Sequence, residues 1–312
     1  MSASSMSDRS SARVVSTGAK YLARAGAITD SSNDALQKSD VLQRVRPALA
    51  EAIIEGLTNR DRGIVEDIGR LRLASGGQLR RLWFDPSPSG LRHARRVLSA
   101  LTKRRVLSRL GHSVGGVRAG SSGYVYCLDV VGQRLLYPDS DTRRPWLPSS
   151  GFIRHAVMVS ECYVQLVESA RTGSLELLGF DSEPACWRQY VNRRGSLTTL
   201  KPDGYFSVGM GEFEDRWYLE ADRATEDIPR VRRKCLAYVN YWQATREEVF
   251  PRVLWVASRI GRAKAIEAVV AELPEDQRAL FAICDINGYL DAVINGAGAE
   301  HITNHTTEGG FV

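Results

Sequence analysis

The chain lacks any apolar run approaching the roughly 18 residues that a membrane-crossing helix needs, which excludes an integral helical membrane protein. Cysteine is sparse and scattered: Cys127, Cys162, Cys186, Cys235 and Cys284 form no CxxC pair and no Cys/His cluster. An odd, dispersed set excludes a disulfide framework and a zinc site, and reads as reduced core thiols. The N-terminal stretch MSASSMSDRSSARVVSTGAK has no apolar signal-peptide core, so export is not expected and a cytoplasmic location is. Gly76-Gly77 and Gly115-Gly116 do not follow a strand with the lysine and hydroxyl of a phosphate-binding loop, which argues against a nucleotide-driven enzyme. The most informative absence is of acid. No carboxylate falls between Asp85 and Asp129, whereas Arg92, Arg95, Arg96, Lys103, Arg104, Arg105, Arg109 and Arg118 all do.

What is present is ordinary globular material: 43% hydrophobic and 25% charged residues in 312, enough for two domains by length. Charge divides them. Residues 1–150 carry 24 Lys+Arg against 13 Asp+Glu, a net +11, and the rest carry 18 against 23, a net −5. A basic half joined to an acidic half suggests that only the first meets nucleic acid.

Residues 1–55 are rich in Ser, Ala and small polar groups and read as a disordered or partly helical arm, with a short helix near Val41–Glu55. Thr58 can cap a helix, with Asp61 in its first turn and Ile64, Val65, Ile68 and Leu71 at helical spacing. A second helix is expected over Gly76–Phe84 and a third over about Ser89–Arg105, after the break Asp85-Pro86-Ser87-Pro88. Val106–Leu110 and Gly123–Leu128 read as two strands around a Gly/Ser loop, Gly111 to Ser122. Three helices and a two-stranded ribbon follow the order of a winged helix-turn-helix, assigned to residues 56–138. A helix and hairpin without carboxylates can lie against phosphates, so double-stranded DNA is the expected partner. Arg92, Arg95, Arg96, Lys103, Arg104 and Arg118 are its candidate contacts. The plain alternative is a solvated cationic face.

Residues 139–151 read as a linker and 296–312 as a flexible tail. Between them, over 152–295, the pattern is a helix (Phe152–Ala170) and three strands (Leu175–Phe180, Leu200–Val208, Arg216–Ala221). A helix (Pro229–Ala244), a strand (Val253–Ala257), a helix (Ala263–Leu273) and a strand (Leu280–Cys284) complete it. That is a mixed α/β layer fold. If the hairpin turns near Glu212, Asp203 lies across from Ala221 and beside Glu220 and Asp222, which share a strand face. Three crowded carboxylates need a cation, and Lys234 or Arg223 can supply one. Acids near a hairpin end can also be mere surface bridges to Arg223, Arg232 or Arg233. His155 reads as a packing or hydrogen-bonding residue, and Trp83, Trp217, Trp242 and Trp255 as core.

Pro202-Asp203 followed by Glu220-x-Asp222 resembles the PD-(D/E)xK nuclease core, with Asp222 at the usual lysine position. The whole stretch from Leu57 to Trp242, including LTNRDRGIVEDIGRLRLASGGQLRRLWF, GYVYCLDVVGQRLL, KPDGYF and LEADRATEDIPRVRRKCLAYVNYW, resembles the replication-relaxation family of plasmids and integrative elements. The resemblance implies a winged helix fused to a nuclease-like α/β domain, acting in plasmid replication or relaxation. It implies Mg2+ on Asp203 and Glu220, with Glu161 a weaker third ligand. Asp203, Glu220, Asp222 and Lys234 would then be catalytic, with Lys234 moved to the following helix. If active, such a site would nick or cut DNA; if inactive, the protein would be a winged-helix regulator of transcription or copy number. Other plasmid replication or transfer proteins are implied partners, with a homodimer left open and no membrane.

Overall fold

Side-chain caps set most helix starts. Thr58 accepts from the Asp61 amide while the Asp61 carboxylate accepts from the Thr58 amide, a capping box that opens α2 (Asn59–Leu71) behind the short α1 (Pro47–Glu55). Ser75 and Gln78 repeat the device for α3 (Gly76–Trp83), and Ser87 followed by Pro88 starts α4 (Pro88–Lys103). The computed structural model describes residues 45–115, 122–140, 148–245 and 249–296. Most of the expected arm, Arg118 in the Gly/Ser loop, much of the expected linker and the tail after Gly296 lie outside the described residues.

The first unit adds three strands to these helices. β1 (Leu73–Ser75), β2 (Leu107–Gly115) and β3 (Ser122–Leu128) form an antiparallel sheet in the order β1-β3-β2. Sequence reading missed β1, because three residues are too few for a period. A further short helix, α5 (Val130–Leu136), is capped by Asp129, whose carboxylate also pairs with Arg105. Ile64, Ile68, Leu79, Leu98, Leu101, Val106 and Val131 make the core.

The second unit is a five-stranded sheet in the order β10-β9-β8-β7-β4, from β4 (Glu176–Ser182), β7 (Gly204–Met210), β8 (Phe213–Asp222), β9 (Arg252–Ala257) and β10 (Phe281–Asp285). β8, β9 and β10 run parallel, while β7 and β4 continue antiparallel. The long helix α6 (Ser150–Arg171) and α10 (Tyr289–Gly296) cover one face, packing on Phe206, Val208, Trp217 and Leu219. The helices α7 (Ile228–Ala244) and α8 (Ile260–Ala271) cover the other, packing on Tyr218, Val253 and Trp255. A one-turn helix, α9 (Glu275–Arg278), precedes β10. The chain is thus of mixed α/β class.

Two local expectations are corrected. The strand expected over Leu200–Val208 is interrupted: β5 (Arg188–Val191) and β6 (Leu197–Leu200) form a separate hairpin, and β7 starts only at Gly204. Pro202 has no N–H to give a ladder, so the break falls there. The β7–β8 turn is also tighter than expected. Met210 pairs with Phe213 across a loop of Gly211 (φ +62°) and Glu212, and Gly204 pairs with Leu219. The ladder ends there: the Asp203 amide donates to the Leu219 carbonyl and its carboxylate accepts from the Ala221 amide, which sets Asp203 beside Glu220.

The two units share packing. Leu71 and Leu82 join the core beneath α6, and Ile153 and Ala156 of α6 pack on Leu73, Val125 and Cys127 of the first sheet. Polar groups close the seam. Ser160 donates to the Leu73 carbonyl, Tyr163 donates to Asp67, and Arg81 bridges Glu161 and Glu168.

Candidate functional site

Strand alternation sends Glu220 and Asp222 toward α7 and α8, away from α6. Glu220 is 1% exposed, so each of its oxygens needs a partner. Both have one: Oε2 accepts from Lys234 Nζ at 2.7 Å and Oε1 from the Tyr238 hydroxyl at 2.6 Å. Lys234 and Tyr238 sit four residues apart on α7 and therefore present the same face to the sheet. Asp203, just before β7, accepts the Ala221 amide on Oδ2 at 2.8 Å. Its Oδ1 faces His155 Nε2 at 3.3 Å and Lys234 Nζ at 3.9 Å. Lys234 thus reaches both carboxylates from the following helix, and the Trp255 ring lies beneath its ammonium at 5.7 Å.

Electrostatics separates the two acids. Burial pushes the Asp203 carboxyl up, but Lys234, His155 and the Ala221 amide outweigh it and hold the group below the usual carboxylate range. Burial pushes Glu220 above that range, with Asp203 adding repulsion that Lys234 only partly offsets. Burial alone would lower His155; the Asp203 carboxylate overrides it and raises the imidazole to about 9. Lys234 is likewise kept charged by Glu220 and Asp203 against its burial. The site therefore holds a buried ionised carboxylate, a second acid biased toward its protonated form, and two cations. The His155, Glu183 and Lys234 side chains are part-exposed.

Asp222 does not join this cluster. Arg262 clamps it with two hydrogen bonds, at 2.9 and 2.8 Å, and the Ala224 amide adds a third at 2.5 Å. Its expected role in a three-carboxylate group is therefore corrected: a third charge beside Asp203 is avoided by this guanidinium, forty residues on. Glu161 is also elsewhere, accepting from Arg81 and Gln78 at the seam between units. Glu183 is the residue missed from sequence, and His155, expected as a packing or hydrogen-bonding residue, bonds to a site carboxylate. His155 is spaced for packing on α6, and Glu183, bound through its amide to the Asp203 carbonyl and ion-paired with Arg72, follows a strand end that carries no recognisable motif.

Among the described residues no group of three or more His, Cys, Asp or Glu side chains is placed to hold a metal ion. Mg2+, however, commonly takes one or two carboxylates and fills its other positions with water and substrate phosphate. Asp203 and Glu220 fit that donor set, with Lys234 competing for the space between their oxygens.

The second candidate surface is α4. Ala94, Leu98 and Leu101 are buried, and Arg92, Arg95, Arg96 and Lys103 are exposed on the other side, in no ion pair among the described residues. Arg104 differs from the expectation: its guanidinium turns inward to the Ile53 carbonyl at 3.0 Å, joining α1 to the end of α4. On β2 the exposed Arg109 stacks 4.0 Å over the ring of Tyr124, itself half exposed.

A mixed α/β protein with a basic, acid-free helix and hairpin on one side and a lysine-bridged carboxylate pair on the other is the class defined so far. The family model described as replication-relaxation matches residues 65–253, from within α2 into β9. The chain belongs to the replication-relaxation family, and membership points to a role in plasmid replication and relaxation. No curated protein and no solved structure gives a significant match. No helix among the described residues is long and apolar enough to cross a membrane.

Proposed function

We propose that this protein grips double-stranded DNA of a mobile element through α4 and the β2–β3 hairpin, read as a winged helix-turn-helix, during plasmid replication or relaxation. The observation that carries it is the row of cations Arg92, Arg95, Arg96 and Lys103 on the exposed face of α4, none of them in an ion pair among the described residues, within a stretch free of acid. Such a face loses nothing to internal ion pairs when it meets phosphates, and its gain is counterion release. Arg95→Ala with Arg96→Ala should lower the slope of log affinity against log salt by about two, one per phosphate contact. A fluorescence anisotropy titration of duplex DNA at several salt concentrations measures this. Unchanged affinity and slope would remove α4 from the interface.

A second reading is favoured by Lys234, which comes from the helix after β8 and touches Glu220. In this reading the second unit is a PD-(D/E)xK-like nuclease. Asp203 and Glu220 would hold Mg2+, which when bound supplies positive charge for a phosphodiester oxygen. Lys234 would orient the phosphate or the attacking water, and His155 would keep Asp203 ionised and in place. Wild type should then nick supercoiled plasmid with Mg2+, and Asp203→Ala and Glu220→Ala should not. Equal nicking by all three proteins would exclude the site. An inert wild type would leave the regulator reading, with DNA binding indifferent to EDTA.

A further inference from the structure

Beside the exposed row on α4 lies a feature that neither the motif nor the family accounts for. A cavity of about 460 Å3 opens where the start of α4 meets the start of α2 and the end of α3. Arg60, Arg92, His93, Arg96, Trp83 and Phe84 are on its wall. Arg92 and Arg96 are four residues apart and share one helix face, so both guanidinium groups converge on the same opening. Arg60 comes from a different helix and is held in place. Its guanidinium donates to Nε2 of His93 at 3.2 Å and to Asp61 at 3.2 Å, and it lies 5.2 Å from the centre of the Phe84 ring. Its buried Nε–H has no acceptor among the described residues. Phe84 in turn meets the His93 ring edge-on at 5.6 Å. Asp85 also lines the cavity, but its Oδ1 accepts the Ser87 amide at 2.8 Å, and hydrogen bonding to Ser87 holds its carboxyl below the usual range.

Three arginines and one carboxylate line this concavity: Arg92 and Arg96 make no ion pair among the described residues, and Arg60 is held by Asp61, His93 and Phe84, which leaves the wall with an excess of positive charge. Guanidinium forks match the oxygens of a phosphate, and the aromatic walls suit the apolar face of a deoxyribose. We propose that this cavity seats one backbone phosphate of the bound DNA strand, clamped by Arg60, Arg92 and Arg96. The assignment rests on the DNA-binding reading and adds Arg60, which lies outside the acid-free stretch and was not a candidate by sequence. Phosphate contacts of this kind position a protein on the duplex and do not read bases.

The test uses the full chain and a random-sequence duplex, with anisotropy titrations across a salt series. Arg60→Ala, Arg60→Lys and Arg96→Ala are compared with wild type and with Arg193→Ala, a cation on the β5–β6 loop. Arg60→Ala and Arg96→Ala should each weaken binding several-fold and lower the salt slope by about one. Arg60→Lys should keep the slope but lose affinity, since it retains the charge without the fork, and it separates lost contact from lost folding. Arg193→Ala should change nothing. If wild type binds DNA and both Arg60 variants and Arg96→Ala match it in slope and affinity, the phosphate seat is wrong and the DNA-binding reading stands. If wild type fails to bind even at low salt, both fall together.

Discussion

Lys234 occupies a position where removal of one charge exposes another. Its ammonium is the only cation placed against the fully buried Glu220 among the described residues, and the same group lies within 3.9 Å of Asp203. Two carboxylates at the end of neighbouring strands would repel each other without it. His155 completes the neutralisation from the opposite layer, and its contribution can be isolated by pH. The folded imidazole is raised from 6.5 to about 9 by Asp203. Below pH 6.5 it is charged in folded and unfolded chains alike, and the ion pair stabilises in full. As pH rises, the unfolded chain loses the proton first, so the contribution declines and is gone once pH passes the folded value. The stability difference between wild type and His155→Gln should therefore be largest near pH 6 and shrink toward pH 9. Urea unfolding at fixed pH steps measures it, and a difference that grows across that range would contradict the pairing. Asp203, Glu220 and Lys234 were legible as residue types from the sequence. The bond from His155 was not, because it joins layers 48 residues apart that only the packing of α6 brings together.

At the scale of elements, local chemistry explains most boundaries. The Thr58–Asp61 and Ser75–Gln78 boxes place two helix starts where the side chains dictate, and the apolar spacing of α4 gives both its buried and its basic side. Fine pairing was harder to read. A one-residue slip in the β7–β8 turn would move Asp203 away from the Leu219 carbonyl and the Ala221 amide that hold it, and several turn lengths satisfy the same composition. Helix-to-helix distance is set equally locally at Gly63 of α2, where an added Cβ would fall 2.0 Å from the Trp83 ring. That indole is not free to yield, since its Nε1–H donates to Asp67 at 2.7 Å. Gly63→Ala should cost about 1–3 kcal/mol through overpacking, despite the better helix propensity of alanine. A chemical denaturation midpoint checks it, and an unchanged or raised midpoint would mean that α2 and α3 can separate without penalty.

For the whole molecule, the seam between the two units governs behaviour. Asp67 receives the Trp83 indole and the Tyr163 hydroxyl, Arg70 donates to Tyr163, and Ser182 donates to the Arg70 carbonyl. Leu71 and Leu82 are buried in the core of the second unit, so parting the units would expose apolar surface and strand buried polar groups. Calorimetry should give one cooperative transition for wild type. Tyr163→Phe, which leaves Asp67 short of a donor, should lower its midpoint in keeping with a loss of about 1–3 kcal/mol. Two resolved transitions in the wild type would show that the units unfold separately.

The sequence by itself determined the mixed α/β class, the helix starts, the basic face of α4 and the identity of the carboxylates and lysine. Those follow from periodicity, capping and charge, which act over a few residues. Tertiary structure decided which acid the lysine serves, that Arg262 draws Asp222 away from it, that His155 faces Asp203, and that Arg60 meets Arg92 and Arg96 around one cavity. Each of these joins residues from separate elements, and the distance between such residues is fixed by how layers pack rather than by spacing along the chain.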